Sequence, residues 1–270
     1  MRLPDFIAVG PPRTATTWLH VQLRDLVWLP NDKETQFFVW NYKLGLEWYA
    51  AHFRDCPPGR IAGEFAPTYF DSADARDRIA ADIPGCKIIC TFRDPVARLY
   101  SHYKMWRRLG LIKANFDYVA FNHRQLLGYN RYAEHLAGWK HRFDPNVLTL
   151  FYEDLVADPQ AFIDSATQFI GAPRIDLSTQ PRATERIHSH ERAPKSQRLA
   201  RRGRQLRDAM LRMKLYGSVR RMRPLWEYCS GRGEVFPPLD PELERRIRAA
   251  MRPEVEAFEK LVGRDLSAWK

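Results

Sequence analysis

The stretch Leu3-Pro4-Asp5-Phe6-Ile7-Ala8-Val9-Gly10-Pro11-Pro12-Arg13-Thr14-Ala15-Thr16-Thr17-Trp18 decides how the rest of the chain is read. Residues 3–9 form the short apolar run of a buried strand, and Gly10 ends it. Trp18, Leu19, Leu23, Leu26 and Val27 then predict a helix over 15–27 with one apolar side. A strand that passes through a short loop into a helix has the local architecture of an anion site. The free N–H groups of the first helical turn and the helix dipole both point at the loop. The plain alternative is a strand–helix turn carrying an exposed Arg. Aligned on Gly10 with the phosphate-binding pattern GxxxxGK[ST], Ala15 replaces the second Gly and Thr16 replaces the Lys. Thr17 keeps its hydroxyl, and a cation sits inside the loop at Arg13. This departure argues against magnesium-dependent hydrolysis of ATP or GTP and leaves binding of a phosphate-like group open.

Outward from this loop, residues 60–63 read as a second short strand and 72–82 as a helix opened by Asp71-Ser72. Residues 87–92 are a continuous β-type run, after which Pro95 suits the first turn of a helix. Residues 147–151 form another buried strand, followed by a helix over 159–170. Strands alternating with helices predict an α/β fold of P-loop-like, three-layer type, with a central parallel sheet flanked by helices. Residues 195–215 and 241–262 read as two further helices. The Gly/Pro-rich join between them marks no clear boundary, so 1–270 is expected to form a single domain.

A second cluster, Arg93-Asp94-Pro95-Val96-Ala97-Arg98-Leu99-Tyr100-Ser101-His102-Tyr103, also sits at a strand-to-helix junction. Arg93 lies at the strand end and Ser101 about two turns into the helix. An arginine fork and a hydroxyl together hold a phosphate. Parallel strands end on one edge, which brings Arg13 and Arg93 to the same crevice. The alternative is that Arg93 and Asp94 cap or pair locally.

Composition sets the bounds. The chain has 270 residues, 45% hydrophobic and 28% charged, with 14 Gly and 19 Pro, which excludes a collagen-like or wholly disordered chain. No run free of Asp, Glu, Lys and Arg exceeds 10 residues, too short for a bilayer-spanning helix. Cys56, Cys86, Cys90 and Cys229 form no CxxC pair, so neither structural zinc nor a disulfide scaffold is expected. With no apolar leader at residues 1–5, a reducing cytoplasm is the expected compartment. The net charge is +11, and residues 195–223 hold eleven Lys or Arg against one acid, Asp208. Leu199, Leu206, Met210 and Met213 share one helical face there, with Arg201, Arg202, Arg204, Arg207 and Arg212 spread over the rest. The segment is either a solvated helix packed on the domain or a lid or dock for an anionic or membrane-bound acceptor. The second reading allows peripheral contact with the membrane inner face.

Together the two clusters resemble the 5′-phosphosulfate loop and the 3′-phosphate motif of sulfotransferases that use 3′-phosphoadenylyl sulfate (PAPS). The family loop P-[KR]-[ST]-[GA]-[ST]-[ST] is matched by Pro12-Arg13-Thr14-Ala15-Thr16-Thr17, and RDPxxRxxSxY by residues 93–103. Lys33-Glu34-Thr35-Gln36-Phe37-Phe38 resembles the KExxFF segment of the heparan-sulfate and bacterial branch. Gly63-Glu64-Phe65-Ala66-Pro67-Thr68-Tyr69-Phe70 resembles that branch's E-K-[TS]-P-x-Y-[FL] segment. Phe151-Tyr152-Glu153-Asp154-Leu155, Asp158-Pro159 and Phe169-Ile170-Gly171 follow its YEDL, DP and FLG, and the closing Val262-Gly263-Arg264-Asp265-Leu266 has the flavour of bacterial members. The likeness covers residues 3–171 in register, plus the tail.

The resemblance implies sulfuryl transfer from PAPS to a hydroxyl, leaving 3′,5′-bisphosphoadenosine (PAP), with no metal required. Arg13, the loop at Thr14 and Ala15, and the Thr16 and Thr17 hydroxyls would bind the phosphosulfate. Arg93 and Ser101 would hold the 3′-phosphate, and Trp18 and Tyr152 would lie near the adenine. Glu34 would be the base, and Phe37, Phe38 and Trp40 beside it would desolvate its carboxylate and raise its pKa. The rivals are histidines: His102, then His20 and His123. The expected acceptor is a carbohydrate, glycolipid or other small molecule, not a nucleic acid, and the oligomeric state is left open. Phe65 stands where the heparan-type enzymes carry Lys, which weakens the case for a heparan-like polymer. From other classes, a P-loop kinase of a small metabolite would show magnesium-dependent ATP turnover. A non-catalytic polyanion-binding protein would show salt-sensitive binding unaffected by PAP.

Overall fold

Alternate residues of the first strand decide the layers. In β1 (Phe6–Ala8), Ile7 enters one hydrophobic core, joined by Val9 just past the strand, while Phe6 and Ala8 enter another. β3 (Lys87–Phe92) repeats the pattern, with Ile88, Cys90 and Phe92 on one side and Ile89 on the other. A period of two with both faces apolar is what a sheet covered on both sides requires. With β2 (Gly63–Phe65) and β4 (Val147–Phe151), these strands form one four-stranded sheet in the order β2-β1-β3-β4. Every neighbouring pair is parallel, with Phe6 opposite both Gly63 and Lys87, and Ile88 opposite Val147.

The computed structural model describes residues 1–180, 192–213, 221–222 and 233–270. After β1 comes α1 (Thr16–Leu23), then α2 (Leu46–Ala51), β2, α3 (Ala73–Asp82) and β3. They are followed by α4 (Pro95–Arg108), α5 (Phe116–Asn122), α6 (Arg124–Gly128), α7 (Tyr132–Phe143) and β4. The chain continues through α8 (Tyr152–Ala157), α9 (Pro159–Ile170), α10 (Gln197–Arg212) and α11 (Pro241–Val262). Ala75 and Ile79 of α3, Leu136 and Trp139 of α7, and Val255 and Phe258 of α11 close the first core. Leu19 and Leu23 of α1 and Phe162, Ile163 and Ile170 of α9 close the second. The three-layer α/β fold is therefore as the sequence predicts.

Helix ends follow local chemistry. The Ser72 hydroxyl accepts from Ala75 N–H at the start of α3, and the Asp158 carboxylate accepts from Ala161 N–H at the start of α9, where Pro159 opens the first turn. β2 begins three residues after the predicted strand starts, a correction with a steric cause. Position 63 pairs with Phe6, and a Cβ there would lie 2.1 Å from that ring, so the ladder settles where glycine lets the aromatic in. Residues 60 and 61 instead meet the segment after α1, with Arg60 Nη2 donating to Asp25 O at 2.8 Å and Trp28 N–H donating to Ile61 O at 2.7 Å.

The chain divides into two compact units. One comprises Met1–Pro95, Gly128–Ile187 and Met251–Lys270 and holds the sheet; the other comprises Val96–Leu127 and His188–Ala250. No described helix is long and apolar enough to cross a membrane.

Candidate anion-binding and catalytic site

The strand order reverses between β1 and β3, since β2 lies beyond β1 on one side and β4 beyond β3 on the other. In an open parallel sheet such a switch point leaves a crevice outside the carboxyl ends of the two strands. The 10–17 loop leaves β1 there, and Arg93 and Asp94 leave β3 there. The two loops predicted from sequence thus emerge from neighbouring strands at one edge. Gly10 allows the close approach, because a Cβ on it would sit 2.2 Å from Thr91 Oγ1 and 2.4 Å from Thr91 N.

The loop backbone is unusual for its composition. Arg13 (φ 79°) and Ala15 (φ 80°) are both left-handed without being glycine. Alternating handedness turns successive N–H groups toward one concavity, and strain of this kind collects at ligand clamps. Thr14 is wholly buried; its hydroxyl donates to Pro11 O at 2.6 Å and lies 2.7 Å from Thr91 Oγ1, so that side chain anchors the loop to β3. α1 starts at Thr16 with no side-chain cap and no acid in its first turn, the arrangement that suits an incoming anion. Thr16 is buried, and half-buried Thr17 accepts from Lys33 Nζ at 2.9 Å. Trp18 is buried, edge-on to Phe162 with ring centroids 5.8 Å apart.

Arg93 is braced from several elements. Its guanidinium lies 4.2 Å from the centre of the Tyr152 ring, and its carbonyl accepts from Tyr132 OH at 3.0 Å. The next amide, Asp94 N–H, donates to Glu153 Oε1 at 2.9 Å. Burial raises the Glu153 pKa, and its Oε2 is buried without a hydrogen-bond partner. Asp154 then grips Arg264 through two bonds of 2.5 and 2.6 Å, tying the closing segment to the start of α8. Ser101 and His102 lie on α4 and His123 directly after α5, all within the second unit. His102 is buried, with Nδ1 3.1 Å from Arg98 Nη1, and both histidines meet Trp106 edge-on.

Glu34 is half-buried in the first unit. Its Oε2 accepts from Gln36 Nε2 at 2.9 Å, and Gln36 Oε1 accepts from Thr68 Oγ1 at 2.5 Å. Burial raises its pKa, opposed by the charge of Lys33 and the bond from Gln36. The expected aromatic wall differs. A π-helical turn over Phe37–Asn41 winds Trp40 outward until it is 68% exposed, while Phe37 and Phe38 are spent in the core, where Phe37 stacks on Tyr49 at 4.6 Å. His20, the rival base in this unit, packs edge-on to Phe65, and burial together with Lys33 and Arg24 holds its pKa down to about 4. Burial therefore moves Glu34 toward the range a general base needs and moves His20 away from it.

Sequence reasoning quoted Glu64 but gave it no role. It is fully buried in β2 and accepts from Thr35 N–H (2.9 Å), Thr35 Oγ1 (2.6 Å), Tyr49 OH (2.7 Å) and Tyr69 OH (3.2 Å). These bonds pin the residue that follows Glu34. Burial outweighs them and raises the Glu64 pKa. The available signal was a lone carboxylate inside an otherwise apolar strand, which needs partners wherever it goes.

Residues 3–199 match the family described as "Sulfotransferase domain". The chain belongs to the sulfotransferase family. It is 31% identical over 196 residues to the bifunctional heparan sulfate N-deacetylase/N-sulfotransferase 4 of Mus musculus, a match covering 63% of this chain and 22% of that protein. Over 288 residues it is 27% identical to the heparan sulfate glucosamine 3-O-sulfotransferase 3B1 of Homo sapiens, covering 98% of this chain and 64% of that protein. This sulfotransferase-family chain thus spans less than two thirds of either relative. A sulfotransferase from Alicyclobacillus acidocaldarius, whose crystal structure superposes with a TM-score of 0.71 at 18% identity over 100% of this chain and 99% of that one, shares its fold.

Proposed function

We propose that the chain transfers the sulfuryl group of PAPS to a hydroxyl of a carbohydrate, glycolipid or other small-molecule acceptor. The observation that carries the reading is the pair of loops at one switch point, one a strained nest opening α1 and the other a braced arginine. Two anion-holding loops at one edge match a donor that carries phosphates on both its 3′ and 5′ oxygens. The loop amides, Arg13, Thr16 and Thr17 hold the phosphosulfate, and Arg13 offsets the charge that builds on the 5′-phosphate. Arg93 holds the 3′-phosphate; Tyr152 and the remaining exposed edge of Trp18 border the adenine. Glu34 takes the acceptor proton as the acceptor oxygen attacks sulfur in line with the leaving phosphate. Wholly buried Phe65 offers no cation for an acidic sugar, which favours a neutral hydroxylated acceptor over a heparan-like polymer. A screen of acceptors with labelled PAPS tests the reading. Magnesium-dependent ATP turnover without sulfuryl transfer would overturn it in favour of the kinase.

Arg93 has its own test. Arg93→Ala should weaken PAP about 10- to 100-fold, the range for a lost charge-assisted hydrogen bond. Adenosine 5′-phosphosulfate, which lacks the 3′-phosphate, should be nearly unaffected in a competition assay. Equal losses for both ligands remove the assignment.

The basic helix supports docking on an anionic membrane. Leu199, Leu206 and Met213 are 51%, 49% and 69% exposed along one stripe, while Ala200 is buried and Arg204 and Arg207 pair with Asp208. The helix packs inward through Ala200 and through Gln197 Nε2, which donates to Arg107 O at 2.9 Å, and its outward apolar stripe beside the exposed Arg198 and Arg202 suits a membrane interface. Residues 214–220 and 223 of the basic segment lie outside the described residues. The protein should co-sediment with phosphatidylserine vesicles, and Leu206→Glu should abolish this; binding unchanged by that substitution refutes the dock.

A further inference from the structure

The phosphate-binding pattern compared with the first loop has its lysine on the loop's own helix, where this chain has Thr16. A lysine reaches the loop from elsewhere. Lys33, ten residues beyond the end of α1, places its Nζ 2.9 Å from the Oγ1 of Thr17. Among the described residues no carboxylate comes within ion-pair reach of this ammonium, although Glu34 is its chain neighbour, and the Thr17 oxygen is its hydrogen-bond acceptor. Glu34 acts on this ammonium through its charge and not through a direct contact, so a half-buried lysine that ordinarily meets an acid is only partly compensated. Glu34 is the acid whose charge reaches it; the first turn of α1 has none, and the charges that lower the His20 pKa are the cations Lys33 and Arg24. Such a cluster is complete only when an anion enters.

The position of Lys33 says which part of the anion it meets. Thr17 belongs to the loop assigned to the phosphosulfate, and Glu34, the next residue in the chain, belongs to the acceptor side. An ammonium anchored to the first, in the residue that precedes the second in the chain, is suited to the group that passes from one to the other. We propose that Lys33 is a catalytic residue whose ammonium binds the oxygens of the transferring sulfuryl group, supplying from outside the loop the cation missing from position 16. The inference rests on the PAPS reading and extends it.

In the step, the acceptor oxygen forms a bond to sulfur while the bond from sulfur to the bridging oxygen breaks. The electron pair goes to the 5′-phosphate and the acceptor proton to the Glu34 carboxylate. Lys33 keeps its proton throughout. It offsets charge on the oxygens of the sulfuryl group and does so more strongly in the transition state than in bound PAPS, which is how it acts on kcat. Burial lowers the Lys33 pKa, consistent with an ammonium that lacks its anion in the free protein.

The test separates PAPS from PAP, which lacks the sulfuryl group. Lys33→Met keeps the length of the stem and removes the charge. It should lower kcat about 100-fold or more and weaken PAPS at least tenfold in competition against a fluorescent PAP analogue, while PAP itself stays within threefold. Lys33→Arg should restore much of the PAPS affinity. The acid limb of the kcat/KM profile should also move to higher pH in Lys33→Met, because the ammonium no longer holds the Glu34 pKa down. Wild-type kcat in Lys33→Met, or equal losses of PAP and PAPS, overturns the role of Lys33 and leaves the function standing. Wild-type protein that binds neither nucleotide overturns both.

Discussion

Glu34→Gln should lower kcat by about 10²- to 10⁴-fold, the usual contribution of a positioned general base, while PAP binds as tightly as before. The amide keeps the shape of the side chain and its link to Gln36 but has no basic lone pair for the acceptor proton. The pH dependence carries the same signature. Burial lifts the Glu34 pKa above the ordinary carboxylate value, so the acid limb of the wild-type kcat/KM profile should lie above that value and vanish in the variant. A raised folded pKa means the native state binds this proton more tightly than the unfolded chain, so that stabilisation is complete below the unfolded pKa and is lost as pH rises through the folded one. Relative to wild type, Glu34→Gln should therefore have a higher Tm at pH 8 than at pH 4. Full activity in the variant passes the base role to a histidine, and of the three rivals His20 is the one in the same unit.

Glu64→Ala should destabilise the fold by about 3–5 kcal/mol, the range for removing one member of a buried, mutually satisfied polar cluster. Four donors from three separate segments converge on this carboxyl, and none has water as a substitute. The measurement is a shift in the denaturant midpoint at unchanged m. Glu64→Gln can still accept from Thr35 while its amide meets Tyr49, so its loss should be about 1–2 kcal/mol. In that milder variant kcat should fall more than PAP affinity, because Thr35 fixes the backbone next to Glu34. A Glu64→Ala protein as stable as wild type would show that the cluster re-forms around water, and the positioning role would go with it.

Much of the scaffold was legible because its signals are local. Residues 87–92 and 147–151 are continuous apolar or β-branched runs, and both are strands. Ser72, Asp158 and Pro159 mark helix starts through hydrogen bonds that reach only three residues. Residues 60–63 misled because Ile61 and Ala62 have the right chemistry for a strand, while the pairing depends on the Phe6 ring needing Gly63 opposite it. Trp40 misled for a similar reason. Its neighbours Phe37 and Phe38 are core residues, and only the wider π turn sends the third aromatic into solvent. Helices α2, α5, α6 and α8 are too short to show a clear apolar pattern and were not anticipated, and α7 was missed although Tyr132, Leu136, Trp139 and Phe143 share one face.

The order of strand, loop and helix, repeated around Arg13 and around Arg93, was enough by itself to set the class of fold and the edge on which both arginines emerge. Parallel strands all end the same way, and that rule needs no coordinates. Only the folded chain decided the fates of the acids and cations that sequence alone treats alike. Glu64 is sealed under four donors, Glu34 is left partly open beside Gln36, His20 is pushed out of the useful pKa range, and Lys33 is brought to Thr17. These outcomes depend on which distant segments exclude water from each group, and that desolvation is a property of the packed structure alone.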